Sequence, residues 1–460
     1  MSLTYALAGI VTETAADDVP AAVREVARRA ILDTVGVALA GANEECVRIV
    51  RDVVRDNGSG VGAARLIGVS GGVGPLDAAL INGTAAHALD YDDTHQSFRG
   101  HPSASIVPAA IAAAESVAAT GTELLDAYAL GLEVAGRVGR AIGVSHAAHG
   151  FHSTSTLGVL GATAASARLL RLDRMQTATA LGIAASSAAG LRLNFGYMAK
   201  PLHAGNAARA GLLAAQLARR AFTANTAAFD GPREFIGTYS PGDGDPAAVA
   251  PGDGTWQALA PGIAVKKYPC CNRGHRAIDA TLALLAAHGF DAADVECIEV
   301  HMPAGEVDEA GRVGPMVYPR PETGLQAKFS MQYVIAAAVV EGGLGVGTFA
   351  DASIGRPDVR RLLVRVRPIA DEDRPAADPE RNFVRVVVRL TDGREFAEEV
   401  RFPRGDPRGG ISLSDDELAA KFRDCAAAML GDGRLEVALR LLQRVDALDD
   451  VRTLTAALAR

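Results

Sequence analysis

At 460 residues with a net charge of −8, the chain has room for two or three domains of ~150 residues each, and its acidity argues against a nucleic-acid partner. Hydrophobic content of 49% and charged content of 22% are ordinary for a globular protein with a sizeable core. Aromatic residues reach only 5%, so alanine and small aliphatic side chains must fill that core, which favours closely packed helices. The five cysteines, Cys46, Cys270, Cys271, Cys297 and Cys425, are odd in number and show no disulfide framework. A cytoplasmic location is the expectation. The opening MSLTYALAGIVTETAADD has no basic region of a signal peptide. The most apolar run, 104–121, is broken by Ser105, Pro108 and Glu115, so no membrane partner is expected.

In chain order, 18–40 predicts a helix, with Asp18 as cap, Pro20 in the first turn, and Val19, Val23, Val26, Ala30 and Val37 on one stripe. A second helix is predicted over 43–56. The glycine-rich stretch 58–75, with Gly58, Gly60 and Gly62, lacks the lysine of a phosphate loop and reads as turns around one short strand. From 105 to 220 helix follows helix. Thr122 is the predicted cap of one that ends near Ala141, and others span 156–170, 173–189 and 204–221. Glycines inside them (Gly131, Gly136, Gly139, Gly158, Gly161) cost ~1 kcal/mol each against alanine, so their number points to close helix–helix approach. Stretch 237–255 is rich in Gly, Pro and Asp and reads as a linker.

Beyond it the period changes. Residues 295–303 alternate as a strand with Ile298, Val300 and Met302 on one face. Residues 361–369 also alternate, and 383–402 predicts a hairpin around Asp392-Gly393. Helices are predicted at 275–288, 325–342 and 356–363. From Ser414, a good N-cap, the pattern is helical to Arg460. The fold class is therefore mainly α with an α+β insert. A large helical domain comes from both chain ends (1–262 and 403–460), and a smaller α+β domain spans 263–402.

The densest chemistry lies in HALDYDDTHQSFRGHPS, 87–103, which carries His87, Asp90, Asp92, Asp93, His95, Arg99 and His101, with Tyr91 and Thr94. It sits between two apolar helical stretches, where such a cluster is costly to bury. A solvated polar loop is the bland alternative. Four more stretches stand out. GFHSTSTLG contains His152 before a helix start. NFGYMAKPLHAGNAARAG places Lys200 before Pro201 and His203 at a helix mouth, where anions bind. VKKYPCCNRGH brings Lys266, Lys267, Arg273 and His275, and VYPRPETGLQAKFSMQY brings Tyr318, Arg320, Lys328 and Ser330. No metal is expected. Cys270-Cys271 is not a CxxC pair, and three positioned cysteines for an iron–sulfur cluster are lacking. His146, His149 and His152 are spaced by three, but Gly143 and Gly150 break that helix. No GxSxG nucleophile elbow occurs either.

Together, HALDYDDTH…HPS, GFHSTSTLG, FGYMAKPLHAGNAARAG, KKYPCCNRGHRAIDA and AKFSMQY resemble the MmgE/PrpD family, over nearly the whole chain and in the family's order. That family includes 2-methylcitrate dehydratase, cis-aconitate decarboxylase and iminodisuccinate epimerase. The resemblance implies that the α+β insert is a lid, that the protein is a homodimer, and that its substrate is a small di- or tricarboxylate. It implies a site of Asp90, Thr94, His101, His152, Lys200 and His275. Tyr318 is carried over on a motif that departs from the family's spacing.

The residue types suit proton abstraction alpha to a carboxylate, which needs a base and positive charge for the enolate-like intermediate. Lys200 and His101, with Arg99 or Lys267, supply charge. His152 and His275 move protons near neutral pH, and Asp90 holds a histidine in one tautomer. Lid closure would exclude water and carry His275 to the helical body. No cofactor is needed. The expected activity is that of a 2-methylcitrate dehydratase-like hydro-lyase. A dicarboxylate epimerase or a cis-aconitate decarboxylase-like carboxy-lyase are the alternatives, and a carboxylate-binding protein is the reading outside enzymes.

Overall fold

The computed structural model of the protein describes residues 2–58, 62–231, 233–240, 242–250, 254–308, 310–375 and 382–459. Gly60, Pro241, residues 251–253 of the expected linker, and Arg460 lie outside the described residues. The chain forms two compact units. The first comprises Met1–Leu193, Ala199–Val265 and Ser414–Arg460, and the second Asn194–Met198 and Lys266–Leu413.

The first unit contains helices α1 (Leu3–Glu13), α2 (Ala21–Gly41), α3 (Glu45–Asp56), α4 (Pro75–Ala88), α5 (Ser103–Val117), α6 (Gly121–Ala141), α7 (Gly158–Leu169), α8 (Arg174–Ser187) and α9 (Ala199–Arg219). In the second unit are α10 (His275–His288), α11 (Met331–Glu341) and α12 (Pro357–Leu363). The chain then returns to the first unit with α13 (Asp415–Ala426), α14 (Asp432–Gln443) and α15 (Arg452–Leu458).

Several helix starts differ from expectation. Pro20, not Asp18, is the N-cap of α2. Asp18 instead accepts from the Ala15 amide at 3.4 Å. Thr120, not Thr122, caps α6, and Glu123 completes a reciprocal box with it. The Thr122 hydroxyl donates to the Asp446 carbonyl. Ser414 caps α13 with Glu417 as expected. The largest shift is at α9, which begins at Ala199 instead of 204. Lys200 and Pro201 thus lie in its first turn, where a proline's missing N–H costs nothing. The glycine-rich stretch holds two short antiparallel strands, β1 (Ala64–Arg65) and β2 (Gly72–Val73).

Two further short strands, β3 (Thr94–His95) and β4 (Ile263–Ala264), pair antiparallel. Helix α4 is buried from Ala78 to Ala88, and α9 packs along it. Glycines make this possible. A Cβ on Gly83 would stand 2.8 Å from Gly205 Cα, and one on Gly205 would collide with Leu80 O and Thr84 Oγ1. Likewise a Cβ on Gly131 of α6 would stand 2.7 Å from Gly161 O of α7. Gly83, Gly205, Gly131 and Gly161 are therefore contact points between helix backbones.

The second unit is built on one sheet of β5 (Val295–Ala304), β6 (Val366–Pro375), β7 (Val384–Leu390) and β8 (Glu395–Val400), in the order β6-β5-β7-β8. β5 runs parallel to β6 and antiparallel to β7, and the β7–β8 hairpin turns at Asp392-Gly393. Ile298, Val300 and Met302 are fully buried beside Ile278 of α10 and Val334 of α11. The strand expected over 361–369 begins only at Val366. Pro357 opens α12, which buries Val359, Leu362 and Leu363, so residues up to Leu363 are helical.

The α4–α9 contact generates a prediction. Gly205→Val should destabilise the protein by ~1–3 kcal/mol, the cost of overpacking. Gly433→Ala, at an open helical position, should leave stability unchanged or slightly raised. Urea denaturation of both variants checks this, and equal midpoints would refute it.

Candidate active site

α4 ends at His87, and the chain then turns sharply. Asp90 takes a positive φ of 52°, a left-handed conformation that aspartate tolerates better than most residues. This turn aims Asp90 and Asp92 back at the end of α4. Lys200, in the first turn of α9, reaches the same point. Its Nζ donates to Asp90 Oδ1 at 2.8 Å and to His87 Nε2 at 2.9 Å. His87 Nδ1 in turn donates to Asp92 Oδ2 at 2.8 Å. The result is a chain Asp90–Lys200–His87–Asp92 with side chains at most 4% exposed. Ring orientation thereby fixes His87 as the Nδ1–H tautomer.

His101 leans on the same carboxylates, its Nδ1 3.3 Å from Asp92 Oδ2 and its Nε2 3.6 Å from Asp90 Oδ1. Its backbone amide donates to Thr154 Oγ1, in the turn after His152. The His152 ring stacks 5.7 Å from His87. His152 Nδ1 lies 3.0 Å from Nδ1 of His203, one turn along α9 from Lys200.

Burial and neighbouring charge set the protonation states. Burial pushes His87 down to about 3, even against Asp92, and Lys200 adds to the effect. His152 is held well below the usual histidine range by burial and then Lys200. The same two causes bring His203 to about 4. These imidazoles are neutral at pH 7. Burial would raise Asp92, but the histidines around it hold it well below the usual carboxylate range. Asp93 goes the other way. Burial, and the nearby Asp33 and Asp92, push it up to about 8 against a hydrogen bond from Ser103. Asp93 is linked through the Ser103 hydroxyl to Tyr128, whose oxygen lies 2.6 Å from Ser103 Oγ. Asp33 itself pairs with buried Lys421 at 2.7 Å.

The structure thus gathers Asp90, His101, His152 and Lys200 within the first unit. Among the described residues, two other candidates take no part in the hydrogen bonds of this cluster. The Thr94 hydroxyl takes no part in these hydrogen bonds among the described residues; β3 pairs Thr94 with Ala264. The Arg99 guanidinium donates to the Gly139 carbonyl at 2.9 Å, so its charge serves the C-terminal end of α6. The remaining three belong to the second unit. His275, buried at the start of α10, places Nε2 3.2 Å from the Cys270 carbonyl, and its ring meets Tyr268 edge-on. Lys267 Nζ lies 5.9 Å from the Tyr268 ring centre. The Tyr318 hydroxyl donates to the Phe195 carbonyl at 2.9 Å, which ties segment Asn194–Met198 to its unit.

His146 and His149 do not converge with His152. His146 is held by Tyr239 O and Thr156 Oγ1, and His149 by Ser145 O. Ligand atoms of His87, Asp90, Asp92 and His101 do lie within 4.8 Å of one another. Two of these four, Asp90 and His87, already bind the Lys200 ammonium, so a metal ion would have to compete with that charge. Among the described residues no helix is long and apolar enough to cross a membrane.

Comparison with known proteins agrees with this arrangement of motifs. The MmgE/PrpD N-terminal domain matches residues 5–247, and the MmgE/PrpD C-terminal domain matches 268–446. The chain belongs to the MmgE/PrpD family. This MmgE/PrpD protein is 30% identical to the cis-aconitate decarboxylase of Homo sapiens, over 94% of the chain and 89% of the relative. It is 29% identical to that of Mus musculus, over 99% and 93%, and 26% identical to that of Aspergillus terreus (strain NIH 2624 / FGSC A1156), over 96% and 92%.

In this MmgE/PrpD protein, His87, Asp92 and His203 join the hydrogen-bonded cluster, although sequence reasoning gave them no role. The spacing of His203, three positions after Lys200, was a usable signal, because i and i+3 share a helix face. It was hidden by a helix start placed five residues late. His87 carried no such signal, since its partner Lys200 lies 113 positions away.

Two predictions follow from the charge arrangement. Asp93 binds its proton more tightly folded than unfolded. Its stabilising contribution is full below its unfolded value of 3.8 and is lost as the pH rises to about 8. Stability of Asp93→Asn should therefore fall less steeply than wild type between those pH values, by urea denaturation. Identical slopes would show that Asp93 is not protonated in the fold. Because Lys200 supplies the local cation, chelator treatment should leave turnover and thermal stability unchanged. Stoichiometric metal by elemental analysis, with chelator-sensitive turnover, would contradict this.

Proposed function

We propose that the protein is a lyase acting on a small tricarboxylate, and that it removes a carboxylate as CO2 in the manner of a cis-aconitate decarboxylase. The observation that carries this reading is the buried Lys200 ammonium, clamped by Asp90 and His87 beside the neutral imidazole of His152. Similarity to the decarboxylases over more than nine-tenths of the chain supports it.

The chemistry needs these parts. cis-Aconitate has a carboxymethyl arm next to a carbon–carbon double bond. When the bond to that arm's carboxylate breaks, CO2 leaves and the electron pair spreads over three carbons as an allylic anion. A proton must then reach the far carbon, alpha to a remaining carboxylate. One proton is consumed for each CO2 released. Lys200 meets the substrate's carboxylates and the charge that develops on them. His152 or His101 delivers the proton from a ring N–H to the carbanion. Asp90 and Asp92 hold Lys200 and His87 in place. No cofactor enters this scheme, and the protein acts as a homodimer without nucleic acid.

A hydro-lyase is the second reading. The presence of more than one neutral histidine favours it, because dehydration needs a base for the alpha proton and an acid for the leaving hydroxide.

The test is to incubate the protein with cis-aconitate, 2-methylcitrate, citrate and a chiral dicarboxylate in deuterated water and to follow products by NMR. The expected result is CO2 release from cis-aconitate, with one deuterium in the new methylene group. Loss of water from a hydroxy acid without CO2 would favour the second reading, and inversion of a dicarboxylate without either would indicate an epimerase. Lys200→Met should weaken substrate binding by ~1.5–3 kcal/mol, roughly 10- to 150-fold. His275→Gln in the same assay reports whether the second unit contributes to turnover.

A further inference from the structure

We infer that His203 is a positioning residue that sets the tautomer of His152, and so fixes His152 as a proton donor through Nε2–H. The inference rests on the lyase reading. It starts from one contact, the 3.0 Å separation of His152 Nδ1 and His203 Nδ1. Two ring nitrogens at that distance share a single proton. If His203 carries it, His152 Nδ1 accepts, and a neutral His152 must bear its own proton on Nε2. If His152 carries it, Nε2 is a bare lone pair. The proton of this hydrogen bond therefore sets which nitrogen of a neutral His152 ring carries its N–H.

The surroundings favour a neutral pair. Both rings are near the Lys200 ammonium, whose charge opposes a second cation. The pair is also held rigidly. The His152 amide donates to the Gly190 carbonyl, and Ser155 Oγ donates to the His203 carbonyl at 3.2 Å. A Cβ on Gly190 would stand 2.9 Å from Ser155 Cβ and 3.4 Å from His203 Cγ, so the 190 turn closes against the pair. His203 is only partly buried, whereas His152 is buried. Water can therefore reach the His203 side, where Nε2 of the Nδ1–H tautomer accepts a hydrogen bond. The proposed decarboxylation delivers a proton to carbon, and with His152 as the donor this takes its Nε2–H form. The same position on α9 brings Lys200 to the substrate, so one helix turn sets both the charge and the proton.

The test uses full-length protein labelled with 15N at histidine. Long-range 1H–15N spectra report which ring nitrogen carries the proton, with the His152 signals assigned by their loss in His152→Gln. Wild type is expected to show His152 as Nε2–H. His203→Asn, whose amide donates from nearly the position of Nδ1, should keep that tautomer and most of the activity. His203→Phe, which fills the space but donates nothing, should move His152 towards Nδ1–H. It should also lower kcat by roughly 10²-fold with KM little changed. Circular dichroism confirms folding, and the Asn variant keeps the test open if the Phe variant does not fold. A His152 proton on Nδ1 in wild type overturns the inference. So does a tautomer that is the same in wild type and His203→Phe, or one that moves without a change in kcat. If no carboxylate is turned over by any variant, the lyase reading has failed, and the spectra still decide the tautomer.

Discussion

The Lys200 ammonium buried between Asp90 and His87 constrains the rest of the first unit. A charge at 4% side-chain exposure survives only if its hydrogen bonds are met, since removing an ion from water costs several kcal/mol. Asp90 meets one of them as a carboxylate, and His87 another as a neutral lone pair. That second role forces the His87 proton onto Nδ1, and Asp92 receives it. The helix start at Ala199, the left-handed turn at Asp90 and the glycine contact of α4 with α9 all serve this arrangement. A Cβ at Gly83 or Gly205 would collide with the facing helix and push the two apart.

The second constraint is an excess of carboxylates. Asp33, Asp90, Asp92 and Asp93 are all buried, and two buried lysines, Lys200 and Lys421, face them. Four negative charges around two positive ones would be unstable in a medium of low dielectric. The excess is relieved in two ways. Asp92 stays ionised because imidazoles donate to it, and Asp93 keeps its proton, with Ser103 and Tyr128 beside it. The imidazoles of His87, His152 and His203 remain neutral because they are buried, and the nearby Lys200 charge adds to the effect. A neutral histidine with a fixed tautomer next to a lysine side chain is a suitable setting for moving a proton on a polycarboxylate.

The second unit follows different physics. Its sheet buries one face through the alternation of Ile298, Val300 and Met302, and its edge strand β8 carries Glu395, Glu398 and Glu399. Charge on an exposed edge discourages pairing with other chains. His275 and Tyr318 are each held by a backbone carbonyl of this unit. Such contacts orient the side chain.

Much of this was legible in the residues alone. The switch of apolar period from helical to alternating marked the α+β portion, because each period is a local property of the backbone. The Asp-Gly turn of the β7–β8 hairpin and the Ser414 cap were readable for the same reason. The motifs around Asp90, His101, His152 and Lys200 carried the family. Cap positions at α2 and α6 were misread by two residues, since neighbouring Asp, Pro and Thr residues compete for one role and only the backbone path chooses among them. The tertiary structure decided what no local pattern encodes. It paired Lys200 with a histidine 113 positions away, turned Arg99 to a helix end and left Thr94 outside the hydrogen-bonded cluster. It also joined His152 to His203, and gave opposite protonation to the adjacent Asp92 and Asp93. Residue type supplies the chemistry a side chain can perform. Which partner it meets, and how far it is buried, depends on helix packing, and those two facts set its charge.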